Sequence, residues 1–328
     1  MERTTPITRQ KVMPAGPEGI EAAADILRRG GLAAFPTETV YGLAADAASE
    51  AAVARIYAAK ARPSGNPLIA HVPSLDAALE EGIFSSEALE LAKRFWPGPL
   101  TLVVPIAPHA SVCAAARAGQ PTIALRVPAH PVALSVISAA ERPLAVPSAN
   151  RSGRVSPVTA KHVALDLGGE VDIILDGGRC PVGVESTVIE CLTVPRLLRP
   201  GGLARRDIED VLGAPLGGLE EAGGLLLRSP GLLRSHYAPR ASVRLEAMAL
   251  REKEAGLDFG GVFAPAKNVL DLSPERDLAQ AAANLFSYLR ELDAQNPSCI
   301  AVAPIPQEGL GEAINDRLRR AAAPRPRG

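Results

Sequence analysis

Aromatic residues are scarce in this chain, at 3% of 328 residues. A surface that stacks unpaired nucleobases needs aromatic rings interleaved with cations, and no stretch of the sequence has that character. The four cysteines, Cys113, Cys180, Cys191 and Cys299, show no CxxC spacing. That argues against a zinc site or a disulfide framework, and reduced, buried thiols are expected. Excess charge of either sign is also missing, the net charge being −1. Residues 1–240 carry 24 Lys+Arg against 24 Asp+Glu, and residues 241–328 carry 11 against 12. Neither part is a basic nucleic-acid module by bulk charge. A local basic groove for small anions or an RNA backbone stays open.

No apolar run approaches the ~20 residues that span a bilayer. The start, MERTTPITRQKVMPAGPEG, has no apolar segment of a secretory signal. A cytoplasmic protein without a membrane partner is expected. The familiar nucleotide and catalytic signatures are absent too. There is no GxxxxGKS/T, no GxGxxG after the first strand, no HExxH and no GxSxG. Any nucleotide must be held by scattered side chains.

What is present is an alternation of helix and strand patterns. Hydrophobic residues make up 47% and charged residues 22%, as in soluble globular proteins. Helices are expected over residues 17–29, 50–60, 86–95, 131–140, 160–167 and 205–212. Gly30-Gly31 closes the first and Ser49 caps the second. Strands are expected over 32–36, 68–72, 100–106, 122–127, 144–147, 173–175, 186–191 and 196–198. Several are apolar throughout, which fits a sheet buried between helices. The last two lie so close in sequence that they are expected to pair antiparallel, making the sheet mixed. Residues 217–240 read as an interdomain linker with a Ser-Pro-Gly turn signal. Beyond it come strands at 243–245, 261–264 and 299–303, helices at 277–294 and 311–322, and a disordered tail, APRPRG. The chain divides as 1–216, a linker 217–240 and a small α/β unit 241–328.

Polar groups collect where strands end. FPTETVYGLAADA and KARPSGNPLIAHV, residues 35–47 and 60–72, hold hydroxyls, a carboxylate, cations, an amide and a histidine between apolar runs. Thr37 and Thr39 follow a strand at the end where α/β sheets bind ligands, although either could simply shape a turn. Lys60 and Arg62 suit a phosphate clamp, but cations at a helix C-terminus are also ordinary. His71 on an apolar strand is more often a core residue than a ligand. Arg126 is the sole charge in TIALRVPAHPVAL and needs a buried anionic partner or an exit to solvent. A ligand carboxylate would suit its guanidinium fork. VPSANRSGRVSP, residues 146–157, is either an anion-binding loop of backbone N–H groups or a polar turn. Glu185, Ser186 and Thr187 begin another strand, and Arg199 ends the next.

Taken in order, these segments resemble the YrdC family, in the long, two-domain form of threonylcarbamoyl-AMP synthase. FPTETVYGLAADA, KARPSGNPLIAHV, FWPGPLTLVV, TIALRVPAHPVA, VPSANRSGRVSP, VGVESTVIE and LLRPGG occur in the family's order. SPGLLRSHYAP is similar to the long form's linker motif. The resemblance implies a YrdC-like α/β domain with a twisted mixed sheet flanked by helices, and a small C-terminal, Rossmann-like α/β domain. It implies that L-threonine, bicarbonate or CO2, and ATP give threonylcarbamoyl-AMP and pyrophosphate. It implies Mg2+ with the nucleotide, with no protein residue assigned as its ligand. A downstream threonylcarbamoyl-transferase complex would use the product to modify tRNA next to the anticodon. Direct tRNA contact stays open.

The resemblance also assigns residues. Thr39, His71, Arg126 and Ser186 would hold L-threonine, with Thr37 a further candidate. Lys60, Arg62, Asn66, Thr122, Ser148, Ser156, Arg199 and Tyr237 would hold ATP, and Lys60 and Arg62 would be catalytic. The chain departs from the family at three places: Ala61 where Gly is frequent, Gly65 where Asp is frequent, and Leu203-Ala204 where Ile-Thr is frequent. Two rival classes remain as alternatives. One is an RNA-binding maturation module without chemistry. The other is carbamoyl transfer of the hydrogenase-maturation type, although the zinc-finger cysteines and acylphosphatase domain of that architecture are lacking here.

Overall fold

A computed structural model describes residues 11–217 and 237–324. Most of the predicted linker, residues 218–236, and the last four residues of the predicted tail lie outside the described residues. The first unit runs β1 (Lys11–Pro14), α1 (Pro17–Arg28), β2 (Ala33–Pro36), β3 (Tyr41–Asp46), α2 (Glu50–Lys60) and β4 (Ile69–His71). It continues with α3 (Leu75–Glu81), α4 (Ser86–Phe95), β5 (Leu100–Pro105), β6 (Thr122–Arg126), α5 (Pro131–Ala140) and β7 (Leu144–Ala145). Then follow α6 (Ala160–Leu167), β8 (Ile173–Asp176), β9 (Thr187–Glu190), β10 (Arg196–Arg199) and α7 (Arg205–Leu212).

Ten strands form one sheet in the order β1-β8-β2-β3-β7-β4-β6-β5-β9-β10. The sheet is mixed: β4 pairs β6 parallel, whereas β5 pairs β6 antiparallel. β9 and β10 pair antiparallel, as their short connection requires. Central strands such as β3, β4 and β6 are buried along their whole length. That explains the absence of polar alternation in their sequences. Leu27 of α1, Phe35 of β2 and Ile137 of α5 pack together in one core cluster. Val53 and Ile56 of α2 and Leu91 of α4 belong to another.

Short polar side chains set the helix starts. Ser49 Oγ accepts from Ala52 N at 3.2 Å, and Ser85 and Thr159 do the same for α4 and α6. β1, β3 and α3 were not expected from the sequence. YGLAAD contains Gly and three small or polar residues, so it reads as a loop by propensity. It becomes a strand because β2 and β7 supply backbone partners on either side. Gly42 is needed there, since a Cβ would stand 2.3 Å from Val146 Cγ1.

The second unit is a four-stranded parallel sheet. Its elements are β11 (Ser242–Arg244), β12 (Glu254–Asp258), β13 (Val269–Asp271), α8 (Leu278–Ala294), β14 (Cys299–Val302) and α9 (Leu310–Ala322), with strand order β11-β14-β12-β13. β12 and β13 were not expected from the sequence, and the expected strand at 261–264 is not formed. Gly260 and Gly261 both take positive φ, and the Asp258 carboxylate collects the amides of Phe259, Val262 and Phe263. The segment is therefore a carboxylate-organised loop between β12 and β13. Among the described residues, no helix is long and apolar enough to cross a membrane.

One departure from the family pattern has a local cost. Ala61 caps α2 in the left-handed region, at φ 49° and ψ 46°. A Cβ is disfavoured there and glycine is not. Ala61→Gly should stabilise the protein by about 1 kcal/mol, read as a raised midpoint in urea unfolding with an unchanged slope.

Candidate active site

The loop Thr37–Val40 joins β2 to β3 and forms one wall of the site. Thr37 Oγ1 accepts from the amides of Thr39 and Val40 and donates to Val40 O. Thr37 thus builds the turn. Thr39 lines a cavity whose wall also carries Arg62, His71, Arg126, Ser148, Glu185, Ser186, Arg199 and Tyr237. The amides of Val182 and Gly183 donate to Glu38 O and Thr39 O, which bring the segment before Glu185 against the same loop.

Arg126 stands opposite His71 in the parallel β4–β6 pair. Its Nη2 donates to Glu38 Oε1 at 2.6 Å and to Thr39 Oγ1 at 3.0 Å, and its Nε donates to Gly98 O at 3.2 Å. Glu38 is the buried anionic partner that a lone strand arginine requires. Its other oxygen accepts from Ala129 N at 3.0 Å. Glu38 escaped the sequence reading, although it stands between the two threonines. Among the described residues Arg126 Nη1 has no hydrogen-bond partner, and the side chain lines the cavity. Burial, and then the Arg126 charge, push the His71 imidazole down to about 3. It is a neutral ring beside a guanidinium.

Lys60 is not a surface cation at a helix end. It is 2% exposed, and its Nζ donates to Ser148 O and Asn150 O. Burial and then the Arg62 charge hold its amine well below the usual lysine range. The residue ties residues 148–150 to the end of α2, and Ser152 N closes the loop on Lys60 O at 2.8 Å. The amides of Ala149, Asn150, Ser152 and Arg154 all donate to protein oxygens. The segment is therefore a lysine-anchored loop with four of its amides spent on protein oxygens.

Arg62 Nε and Nη2 donate to the carbonyls of Asn66 and Pro67. Burial lowers its pKa to about 10. Arg199 donates to Ser186 O through both Nε, at 3.2 Å, and Nη2, at 2.8 Å. Ser186 Oγ lies 2.8 Å from Thr101 Oγ1. Gly201 of LLRPGG permits this approach, since a Cβ would meet the backbone of Glu185, Ser186 and Thr187 at 2.4 Å. Ser156 Oγ donates to Glu185 Oε1. Lys60, Asn66, Thr122 and Ser156 do not line the cavity themselves. Tyr237 is 1% exposed and stacks on Phe286 of α8, with ring centroids 5.7 Å apart.

The cavity leaves about 50 Å³ for the centres of water-sized molecules, so it is a hydrated, partly open site. No serine or cysteine in it is paired with a general base in the manner of an activated nucleophile. Guanidinium groups, hydroxyls and a neutral imidazole can bind and orient anions.

These features define an α/β protein with a cavity lined by guanidinium groups, hydroxyls and an imidazole, a lining suited to anionic small molecules. Residues 25–201 match the Sua5/YciO/YrdC family model, described as telomere recombination. Residues 203–323 match the model described as threonylcarbamoyl-AMP synthase, C-terminal domain. A threonylcarbamoyl-AMP synthase of Pyrococcus abyssi is 41% identical over 326 residues, covering 92% of this chain and 94% of that protein. One of Bacillus subtilis is 41% identical over 328 residues, covering 93% of each. The crystal structure of P. abyssi Sua5 complexed with L-threonine superposes with a TM-score of 0.86 at 40% identity, covering 96% of this chain and 97% of that one. The chain belongs to the threonylcarbamoyl-AMP synthase family.

Stability should depend on pH through His71. Its pKa falls from 6.5 to about 3 on folding, so between these values the unfolded chain holds more protons. Stability is then complete above pH 6.5 and falls as the pH drops toward 3. His162, lowered to about 4 by burial, adds to the same slope. Urea unfolding across this window should show His71→Gln losing up to about 1.4 kcal/mol per pH unit of slope. An unchanged slope would place the imidazole in water.

Proposed function

We propose that this enzyme makes threonylcarbamoyl-AMP and pyrophosphate from L-threonine, bicarbonate or CO2, and ATP. The observation that carries the reading is that Arg62, Arg126 and Arg199, far apart in sequence, line one cavity together with Thr39, His71 and Ser186. Arg126 would grip the threonine carboxylate with the Nη1 that Glu38 leaves available. Thr39 and Ser186 would meet the amino acid's polar groups, and His71 would accept or donate one hydrogen bond without adding charge.

Arg62, Ser148, Arg199 and Tyr237 would hold ATP. Lys60 would contribute by fixing the 148–150 loop, and Asn66 by receiving Arg62 on its carbonyl. Thr122 and Ser156 would reach the nucleotide as the cavity opens. Among the described residues, no group of three His, Cys, Asp or Glu is placed to hold a metal ion. Glu185, the carboxylate in the cavity wall, is committed to Ser156 and Arg317. Mg2+ would be carried on the phosphate oxygens of ATP, where it would neutralise charge.

In the proposed reaction the threonine amine adds to CO2 and loses a proton, giving a carbamate. A carbamate oxygen then bonds to the α-phosphorus, and the bond to pyrophosphate breaks, the leaving group taking the electron pair. No side chain becomes covalently attached. The rate gain comes from holding two anions in contact and from buried cations aimed at them. Both the carbamate and the mixed anhydride are labile in water, so a closed cavity protects them. The product would pass, in the cytoplasm, to a transferase complex that modifies tRNA next to the anticodon.

The direct test is pyrophosphate release by the purified chain. Release should require threonine, bicarbonate and Mg-ATP together. Binding of RNA without any release would defeat the enzymatic reading, and release driven by carbamoyl phosphate in place of threonine would point to the hydrogenase-maturation type. Arg126→Ala should weaken threonine binding by ~1.5–3 kcal/mol. It also strands Glu38, which should cost about 3 kcal/mol of stability. Adding Glu38→Gln should recover much of the stability and none of the threonine affinity, measured by calorimetric titration.

A further inference from the structure

A side chain of the second unit reaches the wall of the cavity and ties several of its residues together. Arg317 of α9 is fully buried, which arginine tolerates only when its charge is matched. Its Nε donates to Glu185 Oε2 at 2.8 Å, and its Nη1 donates to Asp316 Oδ2 at 2.6 Å. Its guanidinium carbon lies 5.0 Å from the centroid of the Tyr237 ring, a cation–π distance. Glu185 passes the constraint on, since its second oxygen accepts from Ser156 Oγ. One guanidinium therefore orders Glu185 and, through it, the Ser156 hydroxyl, and lies against the Tyr237 ring that Phe286 also holds. Burial would raise the Glu185 carboxyl, but Arg317 and Arg199 outweigh it and hold that group below its usual range. It stays an acceptor on both oxygens.

The surrounding interface keeps this geometry rigid. Gly183, at φ 78°, meets α8 so closely that a Cβ would stand 2.5 Å from Ala282 O and Ala283 Cα. Arg290 of α8 pairs with Asp166 and also donates to Val155 O and Ser156 O. The backbone on either side of Ser156 is thus held from the second unit as well.

We propose that Arg317 is a positioning residue of the synthase site, by which the docked second unit orients Glu185, Ser156 and Tyr237 for the nucleotide. This rests on the assignment of Ser156 and Tyr237 to ATP made above. The role differs from simple stabilisation, because it predicts a defect in one substrate and not in the other.

Steady-state pyrophosphate release by the full chain tests it. Arg317→Met should raise the KM for ATP about tenfold or more and leave that for threonine within about twofold. Arg317→Lys, which can keep the ion pair but has no planar group over the ring, should recover most of the thermal midpoint and only part of the ATP effect. It also carries the test if the Met variant does not fold. In a Ser156→Ala background the Arg317→Met effect should shrink, since the two share one path. A fall in thermal midpoint with an unchanged KM for ATP, or full additivity with Ser156→Ala, would overturn the proposal. Ser156→Ala and Tyr237→Leu serve as references. If both leave the KM for ATP unchanged, the nucleotide assignment itself fails. If they raise it and Arg317→Met does not, only the role of Arg317 fails.

Discussion

A buried guanidinium is tolerated only where oxygen atoms surround it, and this molecule buries several. Arg62, Arg126, Arg199 and Arg317 are each no more than 8% exposed. An isolated buried charge costs several kcal/mol, so each arginine dictates the backbone around it. Arg62 draws in the carbonyls of Asn66 and Pro67, Arg199 that of Ser186, and Arg126 that of Gly98 with the Glu38 carboxylate. Satisfying these cations and shaping the site are one constraint. The loops that carry the hydroxyls are folded by the charges they help to enclose.

That constraint also explains why the segment around Lys60 behaves as it does. A lysine at the end of a solvent-facing helix would keep its charge in water. Here the end of α2 lies under the 148–150 loop, and the amine serves two carbonyls there. The amides of Ala149, Asn150, Ser152 and Arg154 in this loop are spent on protein carbonyls. Cations at the site are the side chains of arginine, whose planar forks can satisfy protein oxygens on one edge and face a ligand on the other.

Much of the architecture was legible in the sequence. The helices at 50–60, 86–95 and 160–167 declare themselves by local pattern, and Ser49 was read as a cap, whereas the caps Ser85 and Thr159 emerged with the structure. The antiparallel β9–β10 pair follows from a connection too short for a crossover. β3 was not legible, since YGLAAD has weak strand propensity and is made a strand by its two neighbours. The segment at 261–264 misled in the opposite direction. Its apolar residues read as a strand, but the Asp258 carboxylate captures their amides first. Both cases turn on backbone hydrogen bonds made by residues distant from the pattern.

The site divides in the same way. The order of motifs in the sequence determined the family, and with it the set of side chains worth watching: Thr39, His71, Arg126, Ser186 and Arg199 all line the one cavity. Sequence also showed that Arg126 needed either a buried anion or an exit to solvent. Only the tertiary structure decided which anion it has, and placed Glu38 against it. Only the structure separated Thr37, which builds the turn, from Thr39, which faces the cavity. It likewise decided that Arg317, in a helix whose role the sequence did not reveal, stands behind Glu185 and Tyr237. Residue type is a local property that a chain carries openly. The pairing of buried charges is settled only when distant segments meet, because only there does the missing water make each partner necessary.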